Sequence, residues 1–342
     1  MGDTMRVLVT GAAGFIGYHL SELLLAEGHE VIGLDSHNDY YDPALKAARE
    51  ARLTANPRYR GIRGKVEDSG LLMALFAEHK PEAVVHLAAQ AGVRYSIENP
   101  RAYVEANLIG SFELLEAARA HKPKHLLMAS TSSVYGANTE MPYRETDKVD
   151  TQMSFYAATK KSNEAMAHSY AHLFDIPTTM FRFFTVYGPW GRPDMAPYLF
   201  TSAIFEDRPI KVFNHGDMRR DFTYVTDLVR AIRLLIDAAP VRPASPDQIA
   251  EGDSLSPVAP WRVVNIGNGE SVQLMDFIAA IEAASNRKAV KNMMDMQPGD
   301  VPATWADTAL LRRLTGYAPK TSVRDGVRAY VDWYRDYYGI DG

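Results

Sequence analysis

The chain has no cysteine among its 342 residues. Disulfides, thiolate nucleophiles and thiolate metal sites are thereby excluded, no metal site is expected, and a reducing compartment fits. An excess of positive charge is also missing. The formal net charge is −5, so bulk electrostatics give no reason to expect nucleic acid as a partner. No stretch approaches the ~20 apolar residues needed to cross a bilayer. No signal peptide stands ahead of Met5, from which the chain runs straight into Arg6-Val-Leu-Val-Thr10. The expectation is a cytoplasmic protein with no membrane partner. Internal repeats are absent too. What is present is 46% hydrophobic and 23% charged residues, the make-up of a globular protein with one large domain or two coupled ones.

The first half alternates short apolar, β-branched runs with helical stretches. Strands are expected at Arg6 to Thr10, Glu30 to Leu34, Arg60 to Gly64, Ala83 to Leu87, His125 to Ala129 and Thr178 to Phe183. Ile16 to Glu27 and Val104 to Arg119 read as helices between them. Such alternation implies an α/β fold, a doubly wound parallel sheet. After Gly188 the order loosens at Pro189, Pro193 and Pro197. Helices then follow at Thr226 to Asp237, Ser271 to Ala284 and Val323 to Tyr338. The last carries Val323, Val327, Tyr330, Val331 and Tyr334 on one stripe, a packing face. Residues 1–188 read as a nucleotide-binding domain and 189–342 as a smaller α/β domain, with the chain crossing back between them. Pro240 to Pro260, with five prolines, reads as a mobile surface excursion.

Thr10-Gly11-Ala-Ala-Gly14-Phe15-Ile16-Gly17 follows the first strand and opens the first helix. Glycines at this spacing let the backbone turn tightly and approach a pyrophosphate, at a helix N-terminus whose amides favour anions. Asp35 ends the second strand, where a carboxylate accepts bonds from the adenosine ribose and repels a 2′-phosphate. NAD is therefore expected rather than NADP. The fourth strand runs out into Leu87-Ala88-Ala89, small enough to leave room for the cofactor. His86, following an apolar run, reads as structural rather than catalytic.

Tyr156 and Lys160 stand four residues apart on an expected helix, hence on one face, so a phenol sits next to an ammonium. A nearby positive charge favours the phenolate and makes a base able to take an alcohol proton near neutral pH. The spacing alone is weak. Its place downstream of the glycine loop and of Ser130 to Ser133 gives it weight.

The glycine loop, Ser130-Thr-Ser-Ser-Val-Tyr-Gly136, Tyr156-x-x-x-Lys160 and Arg182-Phe-Phe-Thr-Val-Tyr-Gly-Pro189 together resemble the extended short-chain dehydrogenases/reductases. Within them the chain most resembles the nucleotide-sugar epimerases, especially UDP-glucuronate 4-epimerases, over essentially Met5 to Tyr338. The resemblance implies NAD as cofactor, a UDP-sugar as substrate and 4-epimerisation of UDP-glucuronate to UDP-galacturonate through a 4-keto sugar. It implies Thr131 as the residue orienting the sugar hydroxyl and Tyr156 as the base. Lys160 would bond the nicotinamide ribose and lower the tyrosine pKa. Asn107 would lie near cofactor and sugar, Arg220 on the diphosphate and Asp300 near the uridine ribose. Phe213 would neighbour the uracil, with core packing as the alternative. Arg94, in the specific tract Ala88 to Ser96, joins the substrate set. Lys65 and Val66 run where many relatives place an acid near the adenine, a contact Lys65 cannot make. Ser36 and Gln297 also depart from the pattern.

A uronate needs charge-assisted donors. Thr185, where neutral-hexose epimerases carry Asn, Ser132 and Arg192 could supply them, with a salt bridge or a diphosphate contact the alternative for Arg192. Ser132-Ser133 stand where a 4,6-dehydratase has Asp-Glu, and Ser133 where a decarboxylating UDP-xylose synthase has an acid. A UDP-glucose or UDP-GlcNAc 4-epimerase is the alternative, and a non-catalytic NAD-sensing protein a further one. The resemblance also implies a homodimer through a four-helix interface of Val104 to Arg119 and Tyr156 to Leu173, with Ala158, Met166 and Ala171 as apolar surface and ordinary core as the alternative for these three.

Overall fold

The computed structural model describes residues 4–297 and 300–340. Its central sheet contains all six expected strands: β1 (Arg6–Thr10), β2 (Glu30–Asp35), β3 (Tyr59–Arg63), β4 (Ala83–His86), β5 (His125–Thr131) and β6 (Thr178–Phe183). They lie in the order β3-β2-β1-β4-β5-β6, and a seventh strand, Trp261–Ile266, pairs with β6. Every pairing in this sheet is parallel. The order reverses direction between β1 and β4, which opens a crevice beyond their carboxyl ends.

Both faces of the sheet are covered, which is why its strands read as continuous apolar runs. Val7 and Val9 of β1 point to one face. There they meet Leu20 and Leu24 of helix α1 (Phe15–Ala26) and Leu228 and Ile232 of the helix Val225–Ile236. Leu8 points to the other face and meets a core that includes Phe76, Leu114, Leu115 and Ala167. Each such aliphatic or aromatic side chain contributes roughly 1.5–3 kcal/mol by burial. A separate cluster joins Phe200, Phe222, Phe277 and Ile281 to the C-terminal helix Val323–Tyr338 through Val327, Tyr330, Val331 and Tyr334. The stripe on that helix is a packing face, as its spacing indicates.

Segments after residue 188 return to the large sheet. The helix Val225–Ile236 and Leu310 and Leu311 join its core, and Trp261–Ile266 extends it. The expected helix Val104 to Arg119 is two pieces, a π-helix at Val104–Ile109 and an α-helix at Gly110–Ala120. The proline tract is fastened rather than loose. Arg242 pairs with Asp175 at 3.3 Å and donates to the His172 carbonyl at 2.8 Å. The Ser256 amide donates to the Trp261 carbonyl at 2.9 Å, and the Ser254 hydroxyl accepts the Val263 amide at 3.1 Å.

Candidate active site

The glycine loop is pressed against the strand ends beside it. Gly11 has φ +73°, and a Cβ there would lie 2.9 Å from the Ala88 amide nitrogen. A Cβ on Gly14 would stand 2.9 Å from the Gly11 carbonyl oxygen, and one on Gly17 only 2.0 Å from it. The loop can therefore form only without side chains at these positions. Helix α1 starts at Phe15 with no side-chain cap from Gly14, so its first amides remain available to an anion. Thr10 fixes the neighbouring segment: its hydroxyl accepts the Ala88 amide at 3.2 Å and bonds His86 Nδ1 at 2.8 Å. Burial pulls the His86 imidazole down to about 3, so it stays neutral and serves as a structural link between β1 and β4.

Asp35 closes the far side of this cradle. Its carboxylate accepts the Ala13 amide at 3.1 Å and the His37 amide at 2.8 Å. His37 reaches it by adopting φ +50°. Lys46, on helix α2 (Pro43–Thr54), donates to the same carboxylate at 3.1 Å. Sequence reasoning missed Lys46, because helix periodicity alone does not say which strand end a lysine will meet. Val66 is buried against Gly110, whereas Lys65 is exposed, its amide bonded to Asp68 at 2.9 Å.

The catalytic candidates gather at the carboxyl end of β5. Ser154 caps the helix Phe155–Phe174 by accepting the Ala157 amide at 3.1 Å, which sets Tyr156 and Lys160 on the helix turns that face β5. Lys160 is buried and donates to the Ala129 carbonyl at 3.0 Å. Burial pulls its ammonium down to about 8. Burial also pushes the Tyr156 phenol up, opposed by a hydrogen bond with Thr131 and by the positive charge of Arg192. The groups that favour the phenolate are Thr131 and Arg192, while Lys160 is engaged with the backbone beneath. Thr131 itself is held by the Ser133 amide at 3.2 Å.

Two supports had no signal in the spacing. Ser130, beside Thr131, donates to Glu164 at 2.7 Å, and Glu164 takes both Nε and Nη2 of Arg182 at 2.9 Å each, all fully within the protein. Asn107, expected on the cofactor, braces the loop after β4. Its N–H groups go to the Gln90 carbonyl and the Thr159 hydroxyl, both at 3.0 Å, and its oxygen accepts the Gln90 amide at 2.9 Å. It lies in the π-helix, whose wider turn carries it to the loop after β4.

At the other end, four segments distant in sequence converge. Arg94 lies over the Phe213 ring, 4.6 Å from its centroid. Arg94 and Arg220 approach Asp300 from two sides, at 3.8 and 3.9 Å. Phe213, Arg220 and Asp300 are the residues expected on the nucleotide, and Arg94 is one expected in the substrate set. Arg220 is steadied by buried Asp221, which holds the amides of Asn268, Gly269 and Ala306 at 2.7, 2.9 and 3.2 Å. Ser132 and Thr185 lie partly exposed on neighbouring segments. Arg192 makes the salt bridge that was its alternative, with Asp194 at 3.0 and 2.5 Å, while its charge reaches Tyr156. A cavity of about 470 Å³ lies elsewhere, between the Glu145–Asp150 loop, His168 and the proline tract.

A family model described as GDP-mannose 4,6 dehydratase matches residues 8–330. The chain belongs to this family. Members of the GDP-mannose 4,6 dehydratase family share the extended short-chain dehydrogenase/reductase architecture seen above. Among relatives, the chain is 51% identical over 337 residues to a probable UDP-glucuronate 4-epimerase of Rhizobium meliloti (strain 1021), covering 98% of each. It is 45% identical to UDP-glucuronate 4-epimerase 4 of Arabidopsis thaliana, covering 98% of this chain and 77% of that one. Among solved structures, it is similar to the UDP-glucuronic acid 4-epimerase of Bacillus cereus in complex with UDP-glucuronic acid and NAD. The TM-score is 0.86 at 34% identity, with 98% and 100% of the two chains covered. A dTDP-glucose 4,6-dehydratase of Streptomyces venezuelae matches almost as well in shape, with TM-score 0.85, but at 26% identity. Shape therefore does not separate epimerase from dehydratase in this family, and site residues must.

Proposed function

We propose that the chain catalyses the NAD-dependent 4-epimerisation of UDP-glucuronate to UDP-galacturonate through a 4-keto sugar. The observation that carries the reaction is the placement of Tyr156 and Lys160 on one helix against the carboxyl end of β5, with Lys160 on the Ala129 carbonyl and Thr131 at the strand's end. The residues present fit NAD: Gly11, Gly14 and Gly17 let the loop fold tightly on its own carbonyl and on Ala88, the first amides of helix α1 are uncapped toward a pyrophosphate, and Asp35 ends the second strand, where the ribose would lie. Phe15, Ile16, Val66 and the Leu87-Ala88-Ala89 segment would complete its pocket, with Lys160 at the nicotinamide ribose. Bound NAD supplies reversible two-electron oxidation at carbon 4 of the sugar. Tyr156 takes the proton of the 4-hydroxyl and returns it after the keto sugar has turned over. Thr131 orients that hydroxyl. Arg94, Phe213, Arg220 and Asp300 hold the UDP end fixed while the sugar rotates.

The uronate is supported by the relatives' names and by three positions. Ser132 and Ser133 leave no acid–base pair for dehydration, and with Thr185 and Arg192 they offer hydroxyls and a cation to a carboxylate. Residues 1–188 would mainly serve the cofactor and 189–342 the nucleotide sugar, with the returns described above. Purified protein incubated separately with UDP-glucuronate, UDP-glucose and UDP-GlcNAc tests this. UDP-galacturonate from the first and no product from the others is expected. Epimerised hexose from UDP-glucose, or a UDP-pentose from UDP-glucuronate, overturns it.

A homodimer through the two long helices is part of the same reading, in a cytoplasmic setting that suits a cysteine-free chain. Ala171 is buried and Met166 packs inward, the core role that was their alternative, while Ile109, Phe112, Phe155 and Leu173 are exposed and would supply the apolar surface. A sedimentation mass near 38.0 kDa, that of one chain, contradicts it.

A further inference from the structure

The acid that should set cofactor choice does not stand alone. Asp35 Oδ1 accepts from both the His37 amide and Lys46 Nζ, and Oδ2 accepts from the Ala13 amide. Lys46 is nine-tenths buried and gives a second proton to Asn38 at 3.4 Å, while the Tyr41 ring lies 5.5 Å from its Nζ. An ammonium carries three donors, so one remains. It remains at the edge where the adenosine ribose of a dinucleotide meets the end of the second strand. More positive charge stands alongside. Arg63 is the register partner of Asp35 on β3 and is exposed, and exposed Lys65 follows two residues later. The other acid close by, Glu50, is paired with His37 at 2.9 Å.

We propose that Lys46 is a cofactor-binding and specificity-determining residue. Its free donor meets the ribose 2′-oxygen, and its charge offsets the repulsion that Asp35 exerts on a 2′-phosphate. The ribose edge is thus a carboxylate–ammonium pair rather than a bare carboxylate. It holds NAD by accepting and donating at once, and it discriminates against NADP only narrowly. Lys46, not Asp35 alone, sets the width of that margin, with Arg63 adding to it from the neighbouring strand. This rests on the NAD reading given above.

The test measures bound nucleotide, not turnover. The protein is equilibrated with equimolar NAD and NADP and gel-filtered, and the retained nucleotides are released and quantified. The wild type should retain both, with NAD in excess. Lys46→Met should raise the NAD:NADP ratio about tenfold, the scale of one lost charge-assisted bond, and Lys46→Arg should leave it within twofold. Arg63→Gln, at an exposed position, should shift the ratio the same way by less and keeps the test open if Lys46→Met does not fold. A wild type that retains NAD but no detectable NADP, or a ratio unmoved by Lys46→Met and Arg63→Gln, overturns the role of Lys46. Retention of neither nucleotide, by wild type or variants, overturns the NAD reading itself and this proposal with it.

Discussion

The cofactor end of the crevice and its sugar end are held in different ways. At the cofactor end the polar contacts are short: 2.7 Å from Ser130 to Glu164, 2.9 Å from Glu164 to Arg182, 3.0 Å from Lys160 to Ala129. These groups are buried, and each satisfies another part of the protein. At the sugar end Arg94 and Arg220 stand off from Asp300 at 3.8 and 3.9 Å, and Arg94 is half exposed. The first end is built from consecutive strand–helix units and is complete as folded. The second is gathered from residues 94, 213, 220 and 300, and its charges meet one another only at long range. A reaction that keeps its cofactor in place and turns its sugar over asks for that difference.

The two ends should respond differently to substitution. Tyr156→Phe should lower turnover by about 10²–10⁴-fold, with retained NAD unchanged. Loss of NAD together with activity, seen by quantifying bound nucleotide, would mean that the phenol holds the cradle and not the proton. Glu164→Ala strands Arg182 inside the protein and should cost roughly 3–5 kcal/mol. Urea unfolding reads this, and an unmoved midpoint would contradict a cofactor end that is complete as folded. Lys160 gives a smaller, pH-dependent effect. Its folded value of about 8 lies below its ordinary 10.5, so the native state sheds the proton first. Stability should therefore rise with pH between about 8 and 10.5, by at most a few kcal/mol, and Lys160→Met should flatten that rise. Arg94→Ala should change stability by no more than about 0.5 kcal/mol but raise the KM for the nucleotide sugar about tenfold with kcat little altered. If it unfolds the protein as Glu164→Ala does, the two ends are not different in kind.

The same difference governs what could be read in advance. The glycine loop, Asp35 and the Tyr156–Lys160 helix follow from local pattern, because turn chemistry and helix periodicity act over a few residues. The six strands were legible for the same reason, and Trp-Arg-Val-Val-Asn-Ile carried an equally good strand signal that the preceding prolines obscured. Glu164 on Arg182, Asp194 on Arg192 and Lys46 on Asp35 were not legible. Each is a partner choice between groups on different elements or in an irregular loop, and no periodicity specifies it. Nor did spacing reveal that Lys160 would turn to a carbonyl, since a four-residue separation places two side chains on one face without saying what each will bond.

Trp261–Ile266 is the last strand of the sheet, and the tract before it folds back along it. A bare edge strand offers its amides and carbonyls to any extended chain that drifts past. Here the Ser254 hydroxyl accepts the Val263 amide and also donates to the Val263 carbonyl, and the Ser256 amide donates to the Trp261 carbonyl. The segment lying over the edge is interrupted by prolines, which cannot donate to a ladder. It shields the strand without becoming one. The excursion thereby acts as a guard against sheet-to-sheet aggregation, and shortening it would expose a sticky margin at the point farthest in the sheet from β3.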